Sequence, residues 1–166
     1  AGSYSGFNLL VGEFNSPIGY FSNRAADGFK ILAGGVYGLS NHLLDTPWPK
    51  VARGKNHLTR LLENENVDAE SLFELLRDTA IAPDADLPDT GVGLARERLL
   101  SPIFIETPIY GTRCSTVLLI EKTGKVLFAE RTFQHSGGKV GDEAGFEFEI
   151  RQRVDANVRN GYSYSV

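Results

Sequence analysis

Two polar side chains stand at the ends of apolar stretches of the sequence, where active sites are commonly built. Asn41 ends the stretch 36–41, and Arg113 precedes a predicted strand over residues 115–121 whose core, residues 117–120, is apolar. An asparagine amide can donate a hydrogen bond to a developing oxyanion. A guanidinium can hold a carboxylate at two points or position a nucleophile. Asn41 and Arg113 are therefore the candidate catalytic residues.

Each of the two residues also has an ordinary structural explanation, and the sequence leaves both explanations open. Asn41 could be a turn residue whose side chain bonds to nearby backbone. Arg113 could cover an apolar strand with the methylene part of its side chain while its charge stays in water.

No other reactive residue forms a convincing catalytic or metal-binding set. Cys114 begins an apolar strand, where a lone cysteine is usually a small apolar filler. His42, His57 and His135 lack the spacing of metal ligands, so the sequence predicts no metal site. A serine-hydrolase elbow and a Walker phosphate loop are both missing from the sequence. The chain thus offers two polar anchors and no nucleophile.

Composition excludes several classes of function. The 166 residues suit one domain, with 42% apolar and 23% charged residues. A net charge of −4 argues against nucleic acid as a partner. No apolar run reaches the roughly 20 residues of a transmembrane helix. A single cysteine favours a reducing compartment such as the cytoplasm.

The hydrophobic pattern predicts an α+β fold in which strands come first, helices follow and strands return. Strands are predicted over residues 6–14, 18–22, 29–32 and 36–40, and short links favour an antiparallel arrangement. The next helix should be capped by Thr46 with Pro47 in its first turn, and another should begin after an Asp68 cap. Later elements are a short helix over 94–100 and strands over 103–106, 115–121, 126–132 and 146–150, with a hairpin turn at 122–125.

Several stretches in a fixed order resemble one known family, the transport and Golgi organisation protein 2 family, also called NRDE. The resembling stretches are residues 4–10, 35–41, 43–50, 54–55, 87–89, 110–113, 115–120 and 128–131. Family members begin with Met-Cys and carry an Asn-Arg-Asp-Glu motif soon after, and neither feature occurs here. The resemblance therefore implies that residues 1–150 are the C-terminal part of the family domain. It also implies that an upstream segment of the same protein is a partner. Residues 151–166 would be a tail of unknown role.

The family is similar in fold to N-terminal-nucleophile hydrolases of the choloylglycine type. This similarity implies a layered αββα sandwich and an N-terminal cysteine that attacks an amide carbonyl, with its own amino group as base. Asn41 would then bind the oxyanion and Arg113 would lie near the nucleophile. The implied activity is a cysteine-dependent amidohydrolase acting on a small amide or acyl substrate, with the nucleophile in the missing segment.

The resemblance also implies alternatives that are not enzymatic. Family members are linked to haem trafficking, to lipid or acyl-CoA metabolism, and to Golgi organisation and secretion. Haem is thus a possible ligand, although the sequence offers no convincing axial ligand for its iron. The expected location is the cytoplasm, with eukaryotic family members also linked to mitochondria and the Golgi.

Overall fold

The computed structural model describes residues 4–134 and 139–150. In this part of the chain, three strands come first, three α-helices and one 3-10 turn follow, and three strands end the fold. The elements in order are β1 (Asn8–Val11), β2 (Gly19–Ser22), β3 (Lys30–Ile31), α1 (Pro49–Glu63), α2 (Ala69–Leu76), the 3-10 turn (Asp84–Asp86), α3 (Leu94–Leu100), β4 (Cys114–Ile120), β5 (Lys125–Phe133) and β6 (Val140–Glu149).

The first sheet is an antiparallel meander in the order β1-β2-β3. The turn between β1 and β2 is closed by a hydrogen bond from the Ser16 amide to the Glu13 carbonyl at 2.9 Å. Asn15 takes a left-handed conformation there, with φ of 62°, which asparagine tolerates better than most residues. The predicted antiparallel pairing of the first strands is therefore confirmed.

The fourth predicted strand, over residues 36–40, is wrong. The stretch joins no sheet among the described residues, because the backbone polar groups of Gly38 that a ladder would use are bonded elsewhere. The Gly38 amide donates to the Asp45 carboxylate at 2.8 Å, and the Gly38 carbonyl accepts from the Asp45 amide at 2.7 Å. The alternation of apolar residues within the stretch could not predict that its hydrogen-bond partner, Asp45, lies in the following loop.

The two long helices form where predicted, but α1 begins later than expected. Pro49 is its first residue and Trp48 stands at the cap position without a side-chain cap, so the predicted Thr46 cap is wrong. The Thr46 hydroxyl instead donates to the Leu43 carbonyl at 2.8 Å. The predicted Asp68 cap of α2 is confirmed, and Ser71 completes a reciprocal capping box with it.

The second sheet is antiparallel in the order β4-β5-β6, and its hairpin turn at residues 122–125 is confirmed. Gly124 has a φ of 93°, a conformation that glycine adopts without strain. The predicted strand over 103–106 is wrong, since only an isolated bridge joins Glu106 to Gly111. A tight turn there, in which the Thr107 amide bonds to the Tyr110 carbonyl at 3.1 Å, leaves no room for a longer ladder.

The core lies between α2 and one face of the second sheet. Phe73 is 2% exposed and packs with Val117 and Ala129. The guanidinium of Arg131 lies 4.1 Å from the centre of the Phe73 ring. It also donates to Glu70 at 3.0 and 2.5 Å and to Glu143 at 2.8 Å. Arg131 thus joins α2 to strands β5 and β6 across the core.

The opposite face of the second sheet is apolar and open to solvent. Its large side chains, each more than half exposed, are Leu118, Ile120, Phe146 and Phe148. Cys114 begins the same strand and is also exposed, so its interpretation as a buried filler is wrong. Its side chain alternates with that of the buried Ser115 and therefore lies on the open face.

Helices and antiparallel sheets thus occupy separate parts of the chain, as an α+β fold requires. Within the described residues, no helix has the length and apolar character needed to cross a membrane. The sequence prediction for residues 151–166 lies outside the described part of the chain.

We expect the two faces of the second sheet to respond differently to truncation. Phe73→Ala should lower the free energy of unfolding by about 3–5 kcal/mol, because it opens a cavity in a closed core. Phe146→Ala, at a side chain that is 62% exposed, should cost less than about 1 kcal/mol. Denaturant unfolding of both variants gives the comparison. Equal losses would contradict the open face described here.

Candidate functional site

Asn41 lies in a loop, residues 38–46, that is closed on itself by one carboxylate. The Asp45 side chain accepts from the Gly38 amide at 2.8 Å and from the Lys55 ammonium at 2.7 Å. The Asp45 amide returns a hydrogen bond to the Gly38 carbonyl at 2.7 Å. We call these three contacts the Asp45 clasp. The clasp ties both ends of the loop to α1, which carries Lys55.

The clasp depends on a charged carboxylate and on an unusual backbone. The hydrogen bond from Lys55 lowers the pKa of Asp45, and the Gly38 amide lowers it further, while burial opposes them. Asp45 therefore remains charged at neutral pH. Its φ of 57° lies in the left-handed region, which aspartate tolerates because of its short polar side chain.

A second set of contacts ties the middle of the loop to the first sheet. The Tyr20 hydroxyl donates to the Asn8 side chain at 2.8 Å and accepts from the Leu44 amide at 3.1 Å. The Asn8 side chain in turn donates to the carbonyl of His42 at 3.0 Å. Because β1 and β2 are paired strands, these contacts fix the residue that follows Asn41.

His42 has a structural role in this arrangement. Its Nδ1 lies 2.7 Å from the Thr46 hydroxyl, and its ring is tilted against Trp48 with 5.6 Å between ring centres. The ring therefore packs within the loop, and its Nδ1 is already engaged.

The Asn41 side chain is exposed and has no hydrogen-bond partner among the described residues. It lines three cavities at once. The α1 cavity, of about 440 Å³, lies between residues 37–41 and helix α1. The Trp48 cavity, of about 260 Å³, lies between the start of α1 and helix α3. The sheet cavity, of about 680 Å³, lies against β1. A fixed loop thus presents one free amide at the place where three cavities meet.

Arg113 does not share these cavities. Its backbone carbonyl accepts from the Phe133 amide at 2.8 Å, and its side chain is exposed with no partner in the described part of the chain. None of the cavities that Asn41 lines includes Arg113. The described residues therefore do not bring the two candidates together, and their catalytic roles stay predictions.

Lys50 and Glu97 belong to the site and were missed by sequence reasoning. Both line the Trp48 cavity with Asn41. Lys50 donates to the Leu100 carbonyl at 2.9 Å, and burial lowers the pKa of its ammonium while Glu97 opposes the shift. Glu97 is 6% exposed and accepts from the Thr90 amide and hydroxyl at 2.8 and 2.6 Å.

No local sequence pattern pointed to Glu97, because what marks it is its burial in the fold. It stands four residues before Ser101, and both polar side chains are buried although α3 is a short surface helix. A charged residue at a buried helical position is a frequent mark of function. Lys50 was not marked by the sequence either, because lysine in the first turn of a helix is ordinary. Among the residues described here, no group of three or more acidic, histidine or cysteine side chains could hold a metal ion.

The described residues form two antiparallel sheets, with the helices between them in sequence, and this arrangement defines an α+β protein. Its candidate site is concave, because the loop that carries Asn41 presents a free amide where three cavities meet. The chain belongs to the family described as Transport and Golgi organisation 2, whose sequence model matches residues 1–135. The family resemblance in the sequence is thereby confirmed.

Individual relatives agree with the family assignment. The chain is 32% identical over 160 residues to the Transport and Golgi organization protein 2 homolog of Bos taurus, covering 89% of this chain and 58% of the relative. It is 29% identical over 160 residues to the Homo sapiens homolog, with the same coverage. The Drosophila melanogaster protein is 29% identical over 145 residues, covering 78% of this chain and 50% of that relative. The chain thus spans only about half to three-fifths of these relatives.

Gly38 should be intolerant of a side chain. A Cβ there would lie 2.6 Å from the Val51 side chain, against which the loop packs. Gly38→Ala should lower the free energy of unfolding by about 1–3 kcal/mol through overpacking. Gly34→Ala is the matched control, since nothing lies within 4 Å of its Cβ position. Thermal or denaturant unfolding of the pair tests the contact, and equal stability of the two variants would contradict it.

The Asp45 clasp should weaken in acid. Because the folded state lowers the pKa of Asp45 below its ordinary value of 3.8, the clasp contributes fully above that value and is lost as the pH falls through the lowered pKa. The stability advantage of the natural chain over Asp45→Asn should therefore be constant near neutral pH and shrink below about pH 4.

Unfolding measured between neutral and acid pH tests this expectation. Asp86→Asn is the control, because the Asp86 carboxylate is exposed and has no partner among the described residues. A difference between the natural chain and Asp45→Asn that stays constant down to strong acid would contradict the clasp.

Proposed function

We propose that the protein that carries this chain is a cysteine-dependent amide hydrolase of the N-terminal-nucleophile type, acting on a small amide or acyl substrate. In this proposal the side-chain amide of Asn41 donates to the oxyanion that forms when a carbonyl is attacked. The nucleophile lies in an upstream segment, and the complete domain is an αββα sandwich.

The free amide of Asn41 is the observation that supports this proposal. Oxyanion stabilisation requires a donor that is held in place before the reaction, so that little energy is spent on reorienting it. The Asp45 clasp and the Tyr20–Asn8 contacts hold the loop from two sides, yet leave the Asn41 side chain without a partner among the described residues. Three cavities give a substrate room to approach it.

Arg113 has a supporting role in the proposal. Its guanidinium is exposed and has no ion-pair partner in the described ranges, so it is available to a group from outside them. A thiolate or a substrate carboxylate would be such a group. Arg113 and Asn41 share none of the three cavities, so in this proposal each would approach the nucleophile of the upstream segment separately.

The family relatives support the need for a further segment. About two-fifths of the Bos taurus homolog lies outside the region aligned with this chain, since 58% of that relative is covered. Their names refer to transport and Golgi organisation, which supports a link to the Golgi as part of the proposal, with the cytoplasm as the proposed location.

A non-enzymatic lipid or acyl-CoA carrier is the second candidate, favoured by the walls of the α1 cavity. Apolar side chains from α1, α2 and the segment before β4 line it, namely Val51, Leu58, Leu75, Leu76 and Ile103. An apolar acyl chain would bury its surface there. A carrier would bind such a ligand without turnover, and replacing the N-terminal cysteine of the full-length protein would leave binding intact.

The hydrolase is tested in the full-length protein with a panel of small acyl amides. Asn41→Ala should lower kcat/KM by about 100-fold or more, because the oxyanion loses a fixed donor. Arg113→Ala should lower the rate as well. Asn56→Ala is the matched control, since Asn56 is an exposed asparagine on α1 with no partner among the described residues.

The result of the Asn41→Ala measurement decides the assignment. An unchanged kcat/KM would remove Asn41 from the mechanism. Loss of activity in Asn56→Ala as well would show that the assay reports folding and not oxyanion binding.

A further inference from the structure

We infer that the Trp48 cavity binds the zwitterionic end of a free α-amino acid, with Lys50 holding the carboxylate and Glu97 holding the ammonium. This inference deepens the proposed function by naming a substrate class, amino acids that carry an amide in the side chain. It rests on that function only for the role of Asn41 as a donor to the oxyanion. Binding itself requires no nucleophile.

The cavity contains two opposite charges that are not paired with each other. Lys50 and Glu97 both line it, and in the described part of the chain no ion pair joins them, although the charge of Glu97 acts on Lys50. Opposite charges in a partly buried site normally approach until they pair, because removing them from water is costly. A separated pair leaves space for a ligand that carries the complementary charges.

Each of the two charged groups also has unused hydrogen-bonding capacity. The Lys50 ammonium has three donors, and one of them goes to the Leu100 carbonyl. Both hydrogen bonds from Thr90 reach the same Glu97 oxygen, Oε1. The other oxygen has no partner among the described residues, and no fully buried side-chain oxygen there is unpartnered. That oxygen therefore remains accessible, although Glu97 as a whole is 6% exposed.

The charges select a zwitterion over a simple ion. A free anion at Lys50 would lie near the Glu97 carboxylate, and a free cation at Glu97 would lie near the Lys50 ammonium. Each would gain one favourable contact and suffer one repulsion. An α-amino acid carries both charges on neighbouring atoms and satisfies the two residues together.

The remaining walls and the volume fit the side chain of one amino acid. The volume of about 260 Å³ is below the roughly 300–1,000 Å³ of sites for drug-sized ligands. Trp48 and Tyr110 provide aromatic surface, and Val92 and Ile105 provide aliphatic surface. Lys50 and Glu97 would hold both α groups, so the carbonyl that Asn41 could reach in this cavity is an amide carbonyl in the side chain of the bound amino acid.

Trp48 makes the inference directly testable, because it is the one tryptophan of the chain and lines the cavity. L-leucine is titrated into the protein while tryptophan fluorescence is recorded. Two matched probes each lack one charge: isocaproate has no ammonium and isoamylamine has no carboxylate. We expect a saturable change with leucine and at least about 10-fold weaker binding of both analogues, because each loses a hydrogen bond to a charged group.

Charge-removing variants assign the two contacts. Lys50→Gln and Glu97→Gln should each weaken leucine binding by about 10-fold or more. Lys30→Gln and Glu74→Gln are controls at exposed residues outside the cavity and should bind leucine normally. The comparison of the three probes on the natural chain keeps the inference falsifiable if Glu97→Gln fails to fold.

Three outcomes would overturn the inference: no saturable binding of leucine, binding of isocaproate or isoamylamine as tight as that of leucine, or unchanged binding in both cavity variants. Leucine binding without amide hydrolysis by the full-length protein would leave this inference standing and remove the proposed hydrolase. Hydrolysis that depends on Asn41, without leucine binding, would support the proposed hydrolase and overturn this inference.

Discussion

The carboxylate of Asp45 is the interaction on which the candidate site depends. It bonds at once to the Gly38 amide and to the Lys55 ammonium, so it joins a loop to the helix that follows it. The loop owes its close approach to α1 to the missing side chain of Gly38. Asn41 lies between the two ends of this clasp. The three cavities meet at Asn41 because the clasp holds residues 38–46 as one unit.

Elements with local signals could be predicted from the sequence, and elements with distant partners could not. The Asp68 cap and the turn at Gly124 are fixed by residues within a few positions, so their patterns were sufficient. The stretch 36–40 has strand-like alternation, yet its backbone bonds to Asp45 and not to a strand. Thr46 has the chemistry of a helix cap, but its hydroxyl bonds within the loop.

The candidate site divides in the same way. Asn41 could be predicted because the sequence alone shows an amide side chain at the end of an apolar stretch. Lys50 and Glu97 come together only when α3 folds beside the start of α1, and no local pattern encodes that approach. Separated charges at such a place lower stability relative to a paired or apolar arrangement, a cost that binding sites commonly carry. The open apolar face of the second sheet depends on which elements pack against the sheet, and no local pattern encodes that either.

That open face has a thermodynamic consequence. Leu118, Ile120, Phe146 and Phe148 are already largely hydrated in the folded chain, so their contact with water changes little on unfolding. The heat capacity of unfolding and the slope of stability against denaturant both scale with newly exposed apolar surface. Both quantities should therefore be small for a chain of this length. Its stability would then vary with temperature along a flat curve, with no sharp maximum.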